Sequence, residues 1–353
     1  MVERNGWPAR VLVTGGAGFI GTNLVRRLLH SGVDVSVFDD LSRPGVSANL
    51  ATLRREFGDA LPVQIGDVRD AVAVDRAVAP VDAVVHLAGQ TAVTTSLAQP
   101  SDDLFANVVG TFNVLDAARR SRREPLVVYA STNKVYGDLA HLGVVEEPDR
   151  YRFADLPHGV AETQPVDPVS PYGCSKAAGE QYTRDFARSY GLRTVVMRQS
   201  CIYGEHQFGV EDQGWLAWFA ECGRRRRPLT LFGDGKQVRD LLHVDDLLDA
   251  FTAAVTRIDA VSGEAFNVGG GADNAVSIWW QLRGPLEAAL RVPLAEPAFG
   301  PWRTGDQKVF VADTAKARAL LGWEPQIGVA EGLARLVAWL DARDAERGAQ
   351  CGS

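Results

Sequence analysis

Tyr172 and Lys176 stand four residues apart in the run Tyr172-Gly-Cys-Ser-Lys176. On a helix, that spacing puts a phenol and an ammonium on one face. An ammonium beside a phenol favours the tyrosinate, lowering a pKa that is ordinarily near ~10. Such a pair can take a proton from a carbinol and return it. Upstream, Ser131-Thr132 closes the apolar run Leu126–Ala130. A hydroxyl at the end of a parallel strand lies where open α/β sheets bind their ligands, and can bond the reacting oxygen. A Tyr-x-x-x-Lys pair alone is often a surface pair, so its meaning depends on what precedes it.

What precedes it is a glycine-rich turn, Val11-Leu-Val-Thr-Gly-Gly-Ala-Gly-Phe-Ile-Gly21. Gly15, Gly18 and Gly21 allow, in order, a tight turn, close approach of the backbone to a pyrophosphate, and packing of helix on strand. Phe19 and Ile20 then open a helix whose first N–H groups face the phosphates. Asp39 follows Gly21 by 18 residues, at the end of the second apolar run. A carboxylate there accepts from the adenosine ribose hydroxyls and repels a 2′-phosphate, so NAD is expected over NADP although Arg43 is near. Asp67 and Val68 follow the third run, in reach of the adenine. Leu87, Ala88 and Gly89 close the fourth and offer a small backbone to the cofactor. Asn107 is a further cofactor candidate, with a packing role as its alternative. In this setting Lys176 can also bond the nicotinamide ribose, and Thr132, Tyr172 and Lys176 form a redox triad.

The elements that must position these groups are readable as an alternation. Strands are expected at Arg10–Val13, Asp34–Phe38, Pro62–Ile65, Ala83–Leu87, Leu126–Ala130 and Thr194–Met197, with helices at Phe19–His30, Asp103–Arg122 and Tyr172–Tyr190. Near-continuous apolar strands separated by helices imply a doubly wound parallel sheet, a Rossmann α/β domain. It is expected over residues 1–200, with segments near 240–270 returning to it. A smaller, mixed α/β, substrate-binding lobe is expected over 201–343, including a helix at Ser277–Leu290, and residues 344–353 read as a disordered tail. The proline-rich stretch Asp138–Ser170 reads as a long functional loop. Trp215 and Trp218, spaced i and i+3, and one of Trp279 and Trp280 on the expected helix, suit packing.

Composition narrows the field. The chain has 353 residues, 46% hydrophobic and 23% charged, and a net charge of −7. That balance argues against a general nucleic-acid binder, which needs a basic face. The basic run Arg224–Arg227 reads as a solvated helix end. Cys174, Cys201, Cys222 and Cys351 lack zinc or redox spacing, so no metal is expected and reduced thiols fit a cytoplasmic protein. No signal peptide or membrane-spanning run is read, and no membrane partner is expected. His86 and His243 read as structural hydrogen-bonders.

Gly15–Gly21, Tyr129-Ala-Ser-Thr-Asn-Lys-Val-Tyr-Gly137, Tyr172–Lys176, Arg239-Asp-Leu-Leu-His-Val-Asp245 and Leu321-Gly-Trp-Glu-Pro325 resemble the extended short-chain dehydrogenase/reductase family. The resemblance implies a retained nicotinamide cofactor, with Tyr172 as acid/base, Lys176 as its activator and Thr132 as hydroxyl partner. It also implies a homodimer or homotetramer. Nucleotide-sugar dehydratases of that family carry Asp-Glu after the Thr132 position, where this sequence has Asn133-Lys134. Neither residue readily replaces a carboxylic acid as donor to a leaving hydroxyl, so dehydration is disfavoured and epimerisation expected. Ser131–Leu139, Pro171–Lys176, Asp212–Trp218, Gly235–Asp240 and Asp306–Asp313 resemble the CDP-paratose (CDP-tyvelose) 2-epimerases more closely. That implies oxidation and re-reduction at C2 of a CDP-hexose; a 4-epimerase or 4,6-dehydratase is the alternative. A non-catalytic NAD-binding regulator is disfavoured because the triad is complete. Arg239 and Arg303 are candidates for the substrate diphosphate, and Gln90, Gln207, Phe208, Gln237 and Asp306 for the sugar or base.

Overall fold

The computed structural model describes residues 6–58, 61–303 and 305–351. Seven parallel strands form the main sheet. Numbered along the chain they are Arg10–Thr14, Asp34–Asp39, Val63–Ile65, Ala83–His86, Leu126–Thr132, Thr194–Gln199 and Glu264–Val268, and across the sheet they run 3-2-1-4-5-6-7. The order reverses between the first and fourth strands, which opens a ligand crevice at their carboxyl ends. Every residue of the fourth, fifth and sixth strands is buried, as expected for strands covered on both faces. The third strand, at the sheet's edge, leaves Ile65 56% exposed. Each expected strand is present, with the Leu126 and Thr194 strands two residues longer than expected, to Thr132 and Gln199.

Helix Phe19–His30 packs Leu24, Val25 and Leu28 into the core under the first two strands. Helix Pro171–Tyr190 starts where it does for a local reason: Ser170 accepts a hydrogen bond from Gly173 N at 3.1 Å, and Pro171 fits the first turn. Gly191, at φ 69°, ends it in the left-handed conformation. The helix expected over Asp103–Arg122 is broken into Pro100–Leu104, a π-helical turn Phe105–Val109, and Gly110–Arg120. The π turn carries Asn107, and such wide turns recur at functional sites.

The second lobe is built around Val238–His243. Val238–Asp240 pair antiparallel with Ala275–Ser277, Val238–Arg239 parallel with Val309–Phe310, and Leu241–His243 parallel with Cys201–Tyr203. Helices Trp215–Arg224, Arg283–Leu290 and Val329–Cys351 close over one face, burying Leu216, Phe219, Leu286, Leu333 and Leu336. Trp215 and Trp218 pack against this cluster, as expected.

Three expectations are corrected. Ser277 ends a strand instead of opening a helix: its hydroxyl accepts from Gln281 N at 2.9 Å, turning the chain so that the helix starts only at Arg283. Trp279, fully buried, and half-exposed Trp280 therefore sit in that turn and not on a helix. Residues 344–351, read as a tail, continue the helix from Val329 to Cys351. They are tied down by ion pairs. Asp344 meets Arg224, Arg225 and Arg343, and Glu346 meets Arg55. The basic run is thus partly docked: Arg224 is held by Glu221, Asp341 and Asp344. The long stretch after Asp138 is braced by a hairpin, Val144–Glu146 with Tyr151–Phe153. No helix among the described residues is long and apolar enough to cross a membrane.

Candidate active site

The glycine turn is a cradle with no room for side chains. Gly15 has φ 67°, and a Cβ there would lie 2.8 Å from Ala88 N. A Cβ on Gly21 would fall 2.2 Å from Gly15 O and 2.6 Å from Gly16 Cα, so helix and turn touch through bare backbone. Gly18 precedes the helix and no side chain caps it, leaving the first-turn N–H groups for an anion. Asp39 Oδ2 accepts from Ala17 N at 3.0 Å and Oδ1 from Leu41 N at 2.9 Å. Burial pushes its pKa up, against those two bonds. Each oxygen keeps a free lone pair for a ribose hydroxyl. Arg43 turns away from a phosphate-reading role, to the Thr91 hydroxyl and the Gln213 carboxamide. These features fit NAD: a phosphate cradle, a ribose carboxylate and no free guanidinium beside it. The Gly21→Ala variant is expected to destabilise the fold by about 1–3 kcal/mol, the usual range for overpacking, and to lower NAD retention with it. The test is the NAD content of purified protein with its melting temperature; wild-type values of both would refute the cradle.

Other expected cofactor residues sort by their contacts. Leu87 N donates to Thr14 O at 3.1 Å and Ala88 N to the Thr14 hydroxyl at 3.3 Å, fixing the crevice wall. Gly89 makes room for Asn107, whose Oδ1 would be 2.4 Å from an added Cβ. Asn107 Nδ2 donates to Gln90 O, Asp103 Oδ1 and Ser175 Oγ, so its amide braces the wall from behind. Asp67 accepts from Arg69 N at 2.8 Å and pairs with the Arg69 guanidinium, and Val68 is buried under the helix Gly110–Arg120. His86 bonds Thr14 at 2.7 Å and Thr111 at 3.1 Å; burial holds its pKa near about 3, so it is a neutral strut.

The triad assembles across two elements, Thr132 at the end of its strand and Tyr172 with Lys176 on the helix. All three are buried. The Thr132 hydroxyl donates to Asn133 Oδ1 at 3.3 Å and accepts from Lys134 N at 3.3 Å, and its proximity to the Tyr172 phenol works against the rise in that group's pKa. Tyr172 N donates to Ser96 Oγ at 3.1 Å, which anchors the helix start. Lys176 Nζ lies over the Tyr129 ring, 4.4 Å from its centroid. The expectation that Lys176 lowers the phenol pKa is corrected: burial dominates and pushes Tyr172 up to about 12. Burial also pulls Lys176 down to about 8, opposed by the charges of Asp103 and Glu180. An active ammonium is therefore present below that pH and lost above it. We expect an alkaline limb in kcat/KM centred near about 8, measured as a pH profile. A profile flat well past that limb would contradict the assignment.

Behind the triad lies a network the sequence reading did not anticipate. Glu180, fully buried, accepts from Ser131 Oγ at 3.1 Å and from Arg198 Nε at 3.0 Å. Arg198 Nη1 donates to the Tyr136 hydroxyl at 2.7 Å, which donates to Asn267 Oδ1 at 2.7 Å. A signal was available: residues 172, 176 and 180 share one helix face at successive steps of four.

The substrate candidates divide. Arg239 Nη2 donates to Asp306 Oδ1 at 2.6 Å and Lys134 Nζ lies 3.6 Å from the same oxygen, so these groups meet between the lobes. Burial works against the Asp306 carboxylate, but Arg239 and Lys134 outweigh it and hold its pKa below the ordinary range. Arg303 pairs with Asp212 at 3.0 Å and lies over the Phe232 ring at 4.0 Å. The rest make intramolecular contacts. Gln90 bonds Ala92 N and O, Gln207 bonds Ile202 O at 3.2 Å, and Gln237 holds the loop at Phe232 O. Phe208 packs against Trp339 and Arg343. His243 contacts Glu205 at 3.3 Å and accepts from Asp245 N, a structural role.

Fold and cofactor cradle together define a nicotinamide-dependent enzyme, with Thr132, Tyr172 and Lys176 as its candidate triad. Residues 11–269 match the model of the "NAD dependent epimerase/dehydratase family", and the chain belongs to that family. It is 40% identical to the CDP-paratose 2-epimerase of Salmonella typhi, over 94% of this chain and 98% of that one. It is 36% identical to the UDP-glucose 4-epimerase of Mycolicibacterium smegmatis, over 93% and 97%. The crystal structure of DesIV, the dTDP-glucose 4,6-dehydratase of Streptomyces venezuelae with NAD bound, superposes with a TM-score of 0.80 at 31% identity, covering 95% of this chain and 98% of that one. The cofactor is NAD.

Proposed function

We propose that the protein inverts C2 of a nucleotide-linked hexose, with a CDP-hexose as the favoured substrate, by transient oxidation to a 2-keto sugar. The observation that carries this reading is a complete triad, Thr132, Tyr172 and Lys176, followed by Asn133-Lys134. No Asp-Glu pair follows Thr132 in the chain to expel a hydroxyl. The likeness to the Salmonella typhi 2-epimerase supports the choice of carbon and base.

The chain's own part is proton handling and orientation. Thr132 holds the reacting hydroxyl by a hydrogen bond. Tyr172 takes its proton on the phenolic oxygen and gives it back after the sugar has presented its other face. Lys176, four residues on along the same helix face, supplies a positive charge that works against the burial keeping the Tyr172 phenol protonated. When bound, oxidised NAD supplies the electron acceptor and a positive ring charge that acts in the same direction. Arg239 and Arg303 hold the diphosphate while the sugar turns.

A 4-epimerase is the second reading, because the triad acts on whichever carbinol is presented and a UDP-glucose 4-epimerase is 36% identical. The test is a panel of CDP-, UDP-, GDP- and dTDP-hexoses, with NMR of product configuration at C2 and C4. Inversion at C2, with a C2 deuterium retained in the product, is expected. Inversion at C4 alone, or loss of water, would overturn the proposal. A cytoplasmic homodimer or homotetramer is part of the same reading. Phe112, Tyr182 and Tyr190, between 41% and 56% exposed on the helices Gly110–Arg120 and Pro171–Tyr190, support association of two copies there. Light scattering that finds a monomer would remove that part.

A further inference from the structure

Lys134 is a partly buried cation with little to do. Its side chain is 20% exposed. An ammonium has three donors and no acceptor, and burying it without good partners is costly. Yet among the described residues its two polar side-chain contacts lie at the outer limit of hydrogen bonding, 3.5 Å to Gly305 O and 3.6 Å to Asp306 Oδ1. Asp306 has a nearer partner, since Arg239 donates to that oxygen at 2.6 Å. Among the described residues the cluster holds two cations, Lys134 and Arg239, to one carboxylate, an excess of positive charge and of donors. Both features call for an oxygen-rich ligand.

The position of Lys134 narrows which oxygens. Its backbone N–H donates to the Thr132 hydroxyl, so it is tied to the reacting end of the site. Its ammonium reaches toward Asp306 and Arg239, the end assigned above to the diphosphate. It therefore spans the interval between reacting carbon and phosphate, and in a nucleotide sugar that interval is the sugar itself. We propose that Lys134 is a specificity-determining residue whose ammonium donates to a hydroxyl or ring oxygen of the sugar, with Asp306 steering it. This rests on the reading that a nucleotide sugar occupies the site. Lys134 would hold the sugar near the triad while the sugar turns, and would favour hexoses with an acceptor oxygen at that place.

The experiment compares binding of a nucleoside diphosphate with that of its sugar conjugate. CDP and CDP-glucose, and UDP and UDP-glucose, are titrated calorimetrically into NAD-loaded wild type, Lys134→Met, Lys134→Arg and Asp306→Asn. Melting temperatures and NAD content check that each variant is folded. Expected is a tenfold or greater loss in sugar-conjugate affinity for Lys134→Met, with the parent diphosphate changed less than threefold. Lys134→Arg should recover part of the loss, and KM should rise more than kcat falls. Equal losses for diphosphate and conjugate, or no loss in either, would overturn the proposal. Binding does not require turnover, so the two ideas fail separately. Wild type that binds the conjugates without inverting them sinks the epimerase reading and leaves Lys134 to be judged by the split.

Discussion

Tyr172→Phe is expected to lower kcat by about a hundred- to ten-thousand-fold, the range for removing a general acid–base group, while the protein stays folded and retains NAD. The ring is buried and its packing survives the change. Only the hydroxyl is lost. The cradle at Gly15–Gly21 and the carboxylate of Asp39 have no contact with that oxygen, so NAD content should match wild type. A reaction that needs no proton transfer at this atom would survive the substitution. Single-turnover kinetics with the best nucleotide sugar decide the matter, and a kcat within threefold of wild type would remove Tyr172 from its role.

The second large effect is on stability. Glu180→Ala leaves Arg198 buried and stripped of its carboxylate, and breaking a buried pair by deleting one partner costs about 3–5 kcal/mol. Arg198 is 3% exposed, so water cannot easily compensate. Glu180 also holds Ser131, next to Thr132 of the proposed triad, so residual activity should fall with the denaturant midpoint. Glu180→Gln keeps the shape and an acceptor and should cost less. Midpoints within error of wild type for Glu180→Ala would show that the network carries no load.

Much of this was legible in the chain, for physical reasons that differ by element. Gly15, Gly18 and Gly21 announce themselves because only glycine tolerates a Cβ-free contact such as that between Gly21 and Gly15 O. The strand Leu126–Thr132 is readable because burial on both faces demands a continuous apolar run. Tyr172, Lys176 and Thr132 follow from spacing and strand-end position. Less legible were features set by tertiary contact. Burial, invisible in a local pattern, reverses the pKa shift expected for Tyr172. The π turn carries Asn107, whose amide meets Gln90 and Ser175, and the strand ending at Ser277 pairs with Val238–Asp240, partners no local pattern names. The last helix reaches Cys351 because Asp344 and Glu346 find arginines distant in sequence. The Lys134–Asp306 approach joins residues 172 positions apart, which no motif spacing encodes.

The strand Glu264–Val268 has a further consequence. It pairs with Thr194–Gln199, although the chain has already built part of the second lobe by the time it returns. Neither lobe is therefore autonomous. A fragment ending near residue 200 would expose the whole edge of the Thr194–Gln199 strand, an open template for aggregation. A fragment starting there would carry an orphan strand with no sheet to join. The two lobes are one cooperative unit threaded through a shared sheet, and calorimetry of the full chain should resolve a single unfolding transition.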